Sequence, residues 1–222
     1  MLSKKSKYLQ IAFNKSLEEV SQMINLLPPS PKIILEAGTP FIKQYGREGI
    51  KFLKGIWSEK VGNKAYVVAD LKTMDRGERE VKIAASGEAN AATCLGLAPI
   101  ETINEFILNC KNLNIDSMID MLGVEFPFEI LQKLKTLPDV VILHRGVDEY
   151  ENNKQKQVPY NQIHRIKGTY NNVLISTAGA ESTREVLSGF FNDSDIVIVW
   201  RSFYENPQNT KEIAEEFLKL IK

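Results

Sequence analysis

Short apolar runs recur along this chain, and the gap between each run and the next is long enough for one helix. The runs fall at residues 8–13, 32–36, 64–71, 90–95, 115–121, 139–143, 172–176 and 195–199. The sixth, Asp139-Val140-Val141-Ile142-Leu143, is almost continuously apolar, as a strand covered on both faces must be. Between the runs the period changes to helical. Ser16 can cap a helix reaching residue 27, whose Leu17, Val20, Ile24 and Leu27 lie on one face before Pro28-Pro29-Ser30-Pro31 breaks it. Gly38-Thr39-Pro40 turns into a helix ending near residue 54, and another is expected over 76–88. Pro99 opens a helix to 111, and Pro127 sits near the start of one over 126–137. Residues 149–157 read as a polar loop without glycine. Helices at 160–167 and 182–190 follow, and Pro207 opens the last, with Ile213, Phe217 and Leu220 on its face.

Strand–helix alternation of this regularity implies a parallel sheet covered by helices. With eight units the closed (β/α)8 TIM barrel is the natural α/β solution. A doubly wound open sheet is the alternative, but no glycine-rich fingerprint follows the first strand. No linker interrupts the pattern, so residues 1–222 are expected to form a single domain behind a polar lead at 1–7. The 28 Lys and Arg balance 28 Asp and Glu, which argues against nucleic acid or a membrane surface as partner. No apolar run approaches the roughly 20 residues of a membrane span. The two cysteines, Cys94 and Cys110, show neither metal-ligand nor disulfide spacing, so a cytoplasmic protein with buried thiols is expected.

Against this frame the charged residues fall in a pattern. Residues of a strand alternate between faces, so Asp70 and Lys72 point the same way at the end of the third strand. Alone they could also be an ion pair capping a strand. But Asn14, Glu36, Asp120 and His144 end the first, second, fifth and sixth strands with matching parity. Barrel active sites form at these carboxyl-terminal ends, where a packed core would keep apolar residues. Glu36, Asp70 and Asp120 would bring carboxylates together with Lys72 as counterion; their repulsion raises a pKa or recruits a cation such as Mg²⁺. Lys72 is suited to stabilise an oxyanion and His144 to move a proton. In the turn Thr177-Ala178-Gly179-Ala180-Glu181-Ser182, Gly179 permits close backbone approach, and Arg201 can fork onto a phosphate. A small-residue turn and a single arginine also occur without any ligand. His164 reads as a solvated surface residue, Trp57 as packing or a dimer contact. Lys154-Gln155-Lys156 reads as a solvated loop or a segment closing over a ligand.

The stretches Glu36-Ala37-Gly38-Thr39-Pro40, Ala69-Asp70-Leu71-Lys72-Thr73-Met74-Asp75-Arg76-Gly77, Asp120-Met121-Leu122 and His144-Arg145-Gly146-Val147-Asp148 resemble the 3-hexulose-6-phosphate synthases. These are (β/α)8 barrels of the orotidine 5′-phosphate decarboxylase superfamily. Gly96-Leu97-Ala98-Pro99 is similar to synthase domains found in archaea, some fused to a formaldehyde-activating domain. The resemblance implies a Mg²⁺-dependent aldol enzyme that joins ribulose 5-phosphate and formaldehyde into hexulose 6-phosphate through an enediolate. Glu36 and Asp70 would hold Mg²⁺. Lys72 would stabilise the enediolate, His144 would handle protons and Asp120 would position substrate or water. Asp75 would reach across a homodimer interface into the neighbouring site. Asn14, Thr39, Gly179, Ala180 and Arg201 would contact the substrate and its phosphate.

The chain also departs from that pattern. Asn14 stands where these families usually have Asp, and keeps the shape without the charge. Ala180 replaces the second glycine of a pair, and Trp200 replaces the glycine before the phosphate arginine. The Ser-Phe-Tyr after Arg201, with Asn206-Pro207, looks more like the orotidylate decarboxylase ending. Those decarboxylases carry Lys at the position of Glu36, however, and ketogulonate 6-phosphate decarboxylases carry Arg at the position of Val147. Two alternatives remain open: a decarboxylase of the same superfamily, and a barrel that binds sugar phosphates without turnover.

Overall fold

The computed structural model describes residues 1–153, 155–180 and 182–221. Lys154, in the lysine-rich loop, and Glu181, in the turn before residue 182, lie outside the described residues, as does Lys222. The strands are β1 (Tyr8–Phe13), β2 (Ile33–Ala37), β3 (Val67–Thr73), β4 (Ala91–Leu95), β5 (Asp116–Asp120), β6 (Val140–His144), β7 (Leu174–Ala180) and β8 (Ile196–Val199). They are parallel, pair in sequence order, and close into a barrel through β1 and β8. The helices are α1 (Leu17–Leu26), α2 (Thr39–Val61), α3 (Gly77–Ser86), α4 (Ile100–Asn112), α5 (Pro127–Lys133), α6 (Val147–Asn152), α7 (Asn161–Thr169), α8 (Thr183–Phe191), α9 (Arg201–Glu205) and α10 (Thr210–Lys219). The (β/α)8 expectation is met. Among the described residues no helix is long and apolar enough to cross a membrane.

Strand alternation builds two cores. Tyr8, Ile34, Tyr66, Val68, Met118 and Val140 fill the barrel interior. Leu9, Ile11, Phe13 and Leu35 face outward and pack with Trp57 and Phe106 of the helices. Each fully buried aliphatic side chain stabilises the fold by about 1.5–3 kcal/mol. Trp57 is completely buried, which decides for packing. The N-terminal end of the barrel is closed by hydrogen bonds: Tyr66 Oη donates to Asp116 over 2.5 Å, and the Leu2 N–H donates to the same carboxylate.

Several boundaries differ from the sequence expectation. α2 kinks at Gly46, at φ +59°, and runs on past residue 54 to Val61. α5 stops at Lys133, short of residue 137. Residues 147–152 form α6 where a loop was expected; the segment buries no residue, so it has no apolar periodicity to detect. Its start is fixed locally, by Glu149 accepting from the Gly146 N–H at 2.9 Å. α9 is also new, a single short turn anchored by the buried Phe203.

β3 and β7 both extend further than expected and both end irregularly. The β3–β4 register slips between Ala69 and Thr73, with Lys72 in the left-handed region at φ +47°. The β7–β8 register slips between Ala178 and Ala180, with Gly179 at φ +100°. Bulges of this kind re-aim side chains at the rims of barrels. Both lie at the carboxyl-terminal mouth.

Candidate active site

The mouth of the barrel opens into a cavity of about 390 Å³. Asn14, Glu36, Thr39, Asp70, Lys72, Asp120, His144 and Gly179, all singled out in the sequence, line it. The register explains why. Ala12 pairs with Glu36, Asp120 with Ile142, and His144 with Ala178, so these strand ends lie at neighbouring heights.

Lys72 is the hub. Its Nζ lies 2.9 Å from Asp70 and 3.0 Å from Asp120. Asp120 in turn meets Nδ1 of His144 at 2.9 Å. Asp70 is held in place by neighbours on two other elements, β4 and α2. Thr93 Oγ1 donates to its Oδ1 over 2.8 Å, and the Thr39 hydroxyl lies 2.8 Å from both its carbonyl oxygen and its Oδ2. Thr93 also accepts the Lys72 N–H at 3.0 Å, which holds the left-handed backbone there. Gln10 Nε2 donates to Glu36 over 2.5 Å.

The electrostatics follow from this packing. Burial and the nearby Asp70 charge push Glu36 up to about 7. Burial alone would lower the Lys72 pKa, but Asp70, Asp120 and Glu36 together raise it, so the ammonium stays charged. Asp120 is buried too, yet His144 and Lys72 hold it down at about 2. His144 is raised above its ordinary value because Asp120 outweighs its burial. The site therefore holds the Lys72 ammonium and the His144 ring joined by one carboxylate, with the Glu36–Asp70 pair beside them.

Two glycines are required by close approach. A Cβ on Gly38 would lie 1.9 Å from Asn14 Oδ1, so Asn14 reaches its place because residue 38 has no side chain. A Cβ on Gly179 would meet the Arg145 carbonyl oxygen at 2.6 Å, and its φ is positive as well.

Not every expected residue reaches the cavity. Asp75 is exposed outside it and accepts the Arg76 N–H at 2.7 Å. Ala180 is buried and follows Gly179 without lining the cavity. Arg201 stands behind the wall, 3.0 Å from Glu151, with its guanidinium over the rings of Tyr150 and Trp200. Trp200 itself lines the cavity. The sequence reading passed over Gln10, Thr93, Arg145 and Tyr150, all in the cavity wall. Gln10 was legible in principle, since it shares the inward parity of Asn14. Arg145 gave no such signal, because it follows His144 with the opposite parity. His164 is exposed, 3.6 Å from Asp193, and both cysteines are buried, with burial pushing the Cys94 thiol up to about 12.

A closed parallel barrel whose carboxyl-terminal mouth holds a charged lysine between two carboxylates has the form of a barrel-enzyme active site. The chain belongs to the Orotidine 5′-phosphate decarboxylase / HUMPS family, whose model matches residues 7–217. It is 34% identical over 215 residues to the bifunctional enzyme Fae/Hps of Methanosarcina barkeri, covering 96% of this chain and 52% of that protein. It is 36% identical over 218 residues to the Fae/Hps of Methanocella arvoryzae, covering 97% and 53%. The chain thus spans about half the length of the curated relatives it matches. Among solved structures, a 3-hexulose-6-phosphate synthase superimposes with a TM-score of 0.80 at 25% identity, over 97% of this chain and all of that one.

Proposed function

We propose that this chain is a lyase of the 3-hexulose-6-phosphate synthase type, joining ribulose 5-phosphate to formaldehyde and catalysing the reverse aldol cleavage. The observation that carries the reading is Lys72, held charged between Asp70 and Asp120 beside His144. The neutral His144 takes a proton on Nε2 from the carbon next to the pentulose carbonyl, giving an enediolate whose oxyanion the Lys72 ammonium stabilises. The enediolate carbon attacks formaldehyde, forming the new C–C bond. His144 then gives a proton to the resulting alkoxide. Asp120 occupies Nδ1, so Nε2 is the atom that delivers it.

Among the described residues no group of three or more His, Cys, Asp or Glu side chains is arranged for a metal. Glu36 and Asp70 nonetheless suit Mg²⁺, which takes few protein oxygens and keeps positions for substrate. Their mutual repulsion and the buried Oε1 of Gln10, unpartnered among the described residues, both favour a hard cation there. When bound, Mg²⁺ would supply a Lewis acid to the pentulose oxygens. Gly179, Ala180 and Arg201 would hold the phosphate, and Asp75, exposed on one chain, would complete the neighbouring site in a homodimer. The cytoplasm is the compartment that fits two free thiols.

A second reading, a barrel that binds phosphate esters without turnover, is favoured by Trp200 in the wall and Glu151 on Arg201. The test is incubation with ribulose 5-phosphate, formaldehyde and Mg²⁺ while pentulose loss is followed. No turnover by the wild type, or unchanged turnover in K72A, sinks the synthase reading.

A further inference from the structure

Arg145 is buried to 4% exposure at the edge of the cavity. A buried guanidinium presents five N–H donors that must find partners. Its Nη2 donates to the Gly179 carbonyl and, at 3.1 Å, to Glu185 near the start of α8. Its Nη1 reaches the Lys156 carbonyl at 3.4 Å, and its plane lies 4.4 Å from the Tyr150 ring centre on α6. Among the described residues its Nε has no partner. One side chain thus ties together the segment after β6, the bulged end of β7 and the first turn of α8.

Two consequences follow. The backbone at Gly179 has no Cβ to restrain it, and Arg145 fixes the direction of its carbonyl. Glu185 does not line the cavity but places a negative charge 3.1 Å from Arg145, which does, and Arg145 offsets it. We propose that Arg145 is a positioning residue for the phosphate of the substrate, holding the Gly179 turn in its anion-accepting shape and neutralising Glu185 behind it. The inference rests on the sugar-phosphate reading of the cavity. Lysine cannot replace the fork, because one ammonium does not span Gly179, Glu185 and Lys156 together.

The experiment compares wild type, R145K and the double variant R145Q/E185Q, which removes both charges of the pair together. Steady-state kinetics with ribulose 5-phosphate, formaldehyde and Mg²⁺ are measured beside calorimetric binding of inorganic phosphate and the melting temperature. In R145K, KM for the phosphorylated substrate and Kd for phosphate rise about tenfold, the loss of a charged hydrogen bond, while kcat stays within about threefold. The double variant weakens phosphate in the same way, and it decides the matter if R145K does not fold. Unchanged phosphate affinity in the folded variants, or a fall in kcat with KM unmoved, overturns the proposal, as does a wild type that binds no phosphate. A wild type that binds phosphate but turns over no pentulose phosphate refutes the synthase reading alone, and the binding comparison still judges Arg145.

Discussion

Asp120 lies 2.9 Å from Nδ1 of His144, and this contact sets the proton chemistry of the mouth. A His pKa raised in the folded state means that the folded chain keeps the proton where the unfolded chain releases it. The pair's contribution to stability is therefore full below about 6.5 and is lost as pH rises through the raised value. D120N removes the charge that favours imidazolium, so the His144 midpoint moves to lower pH. Titration of the His144 ring signals by NMR in both proteins checks this; a midpoint unchanged by D120N would rule it out.

Lys72 lies between two carboxylates and near a third, so its removal has opposite consequences for activity and for the neighbouring acids. K72A lowers kcat about 10²–10³-fold by removing the group that meets the oxyanion. It also leaves Asp70, Asp120 and Glu36 without their shared cation, and the fold loses stability at neutral pH. K72A should recover part of that loss as pH is lowered and the carboxyls protonate. Urea titrations at two pH values measure it, and a pH-independent deficit would contradict the account.

Glu36 is the member of the site that costs stability. Its raised pKa, about 7 against an ordinary 4.5, means that ionisation above neutrality is penalised in the folded state only. Stability contributed by the neutral form is full below the unfolded value and is lost as pH rises from there through about 7. In metal-free protein at pH 8, E36Q should therefore be more stable than wild type, by up to about 3 kcal/mol. The same variant should lose activation by Mg²⁺, whereas chelation followed by Mg²⁺ restores the wild type. An E36Q protein that is less stable and still activated by Mg²⁺ would refute both halves. A gain in stability with a loss of function marks a group retained for its chemistry.

How much of this was legible depended on which signal each residue carries. Strand position and parity are periodic, so the sequence alone puts Glu36, Asp70, Asp120 and His144 on one rim. Lys72 was placed correctly for an incomplete reason. Simple alternation puts it beside Asp70, but in the fold it sits in a left-handed bulge, and the ladder slips around it. Arg145 and α6 escaped because their partners are distant or exposed. No local pattern announces that a guanidinium meets Gly179, Glu185 and Tyr150, nor that a fully polar segment closes one helical turn.

Arg201 offers the last prediction. It was expected to grip phosphate, and its guanidinium lies 3.0 Å from Glu151 on α6, with Tyr150 between it and Arg145. A substrate phosphate that recruits Arg201 has to compete with that carboxylate. Glu151 is more than half exposed, so the pair is worth no more than about 1 kcal/mol in water. E151Q should therefore lower KM for the phosphorylated substrate by no more than about fivefold and leave kcat alone. The gain should shrink as salt is added, since salt screens the ion pair in the wild type. R201Q should raise KM, and E151Q should have no further effect in its presence. If E151Q lowers KM equally in the R201Q background, Glu151 repels phosphate directly, and Arg201 is not the group for which the two compete.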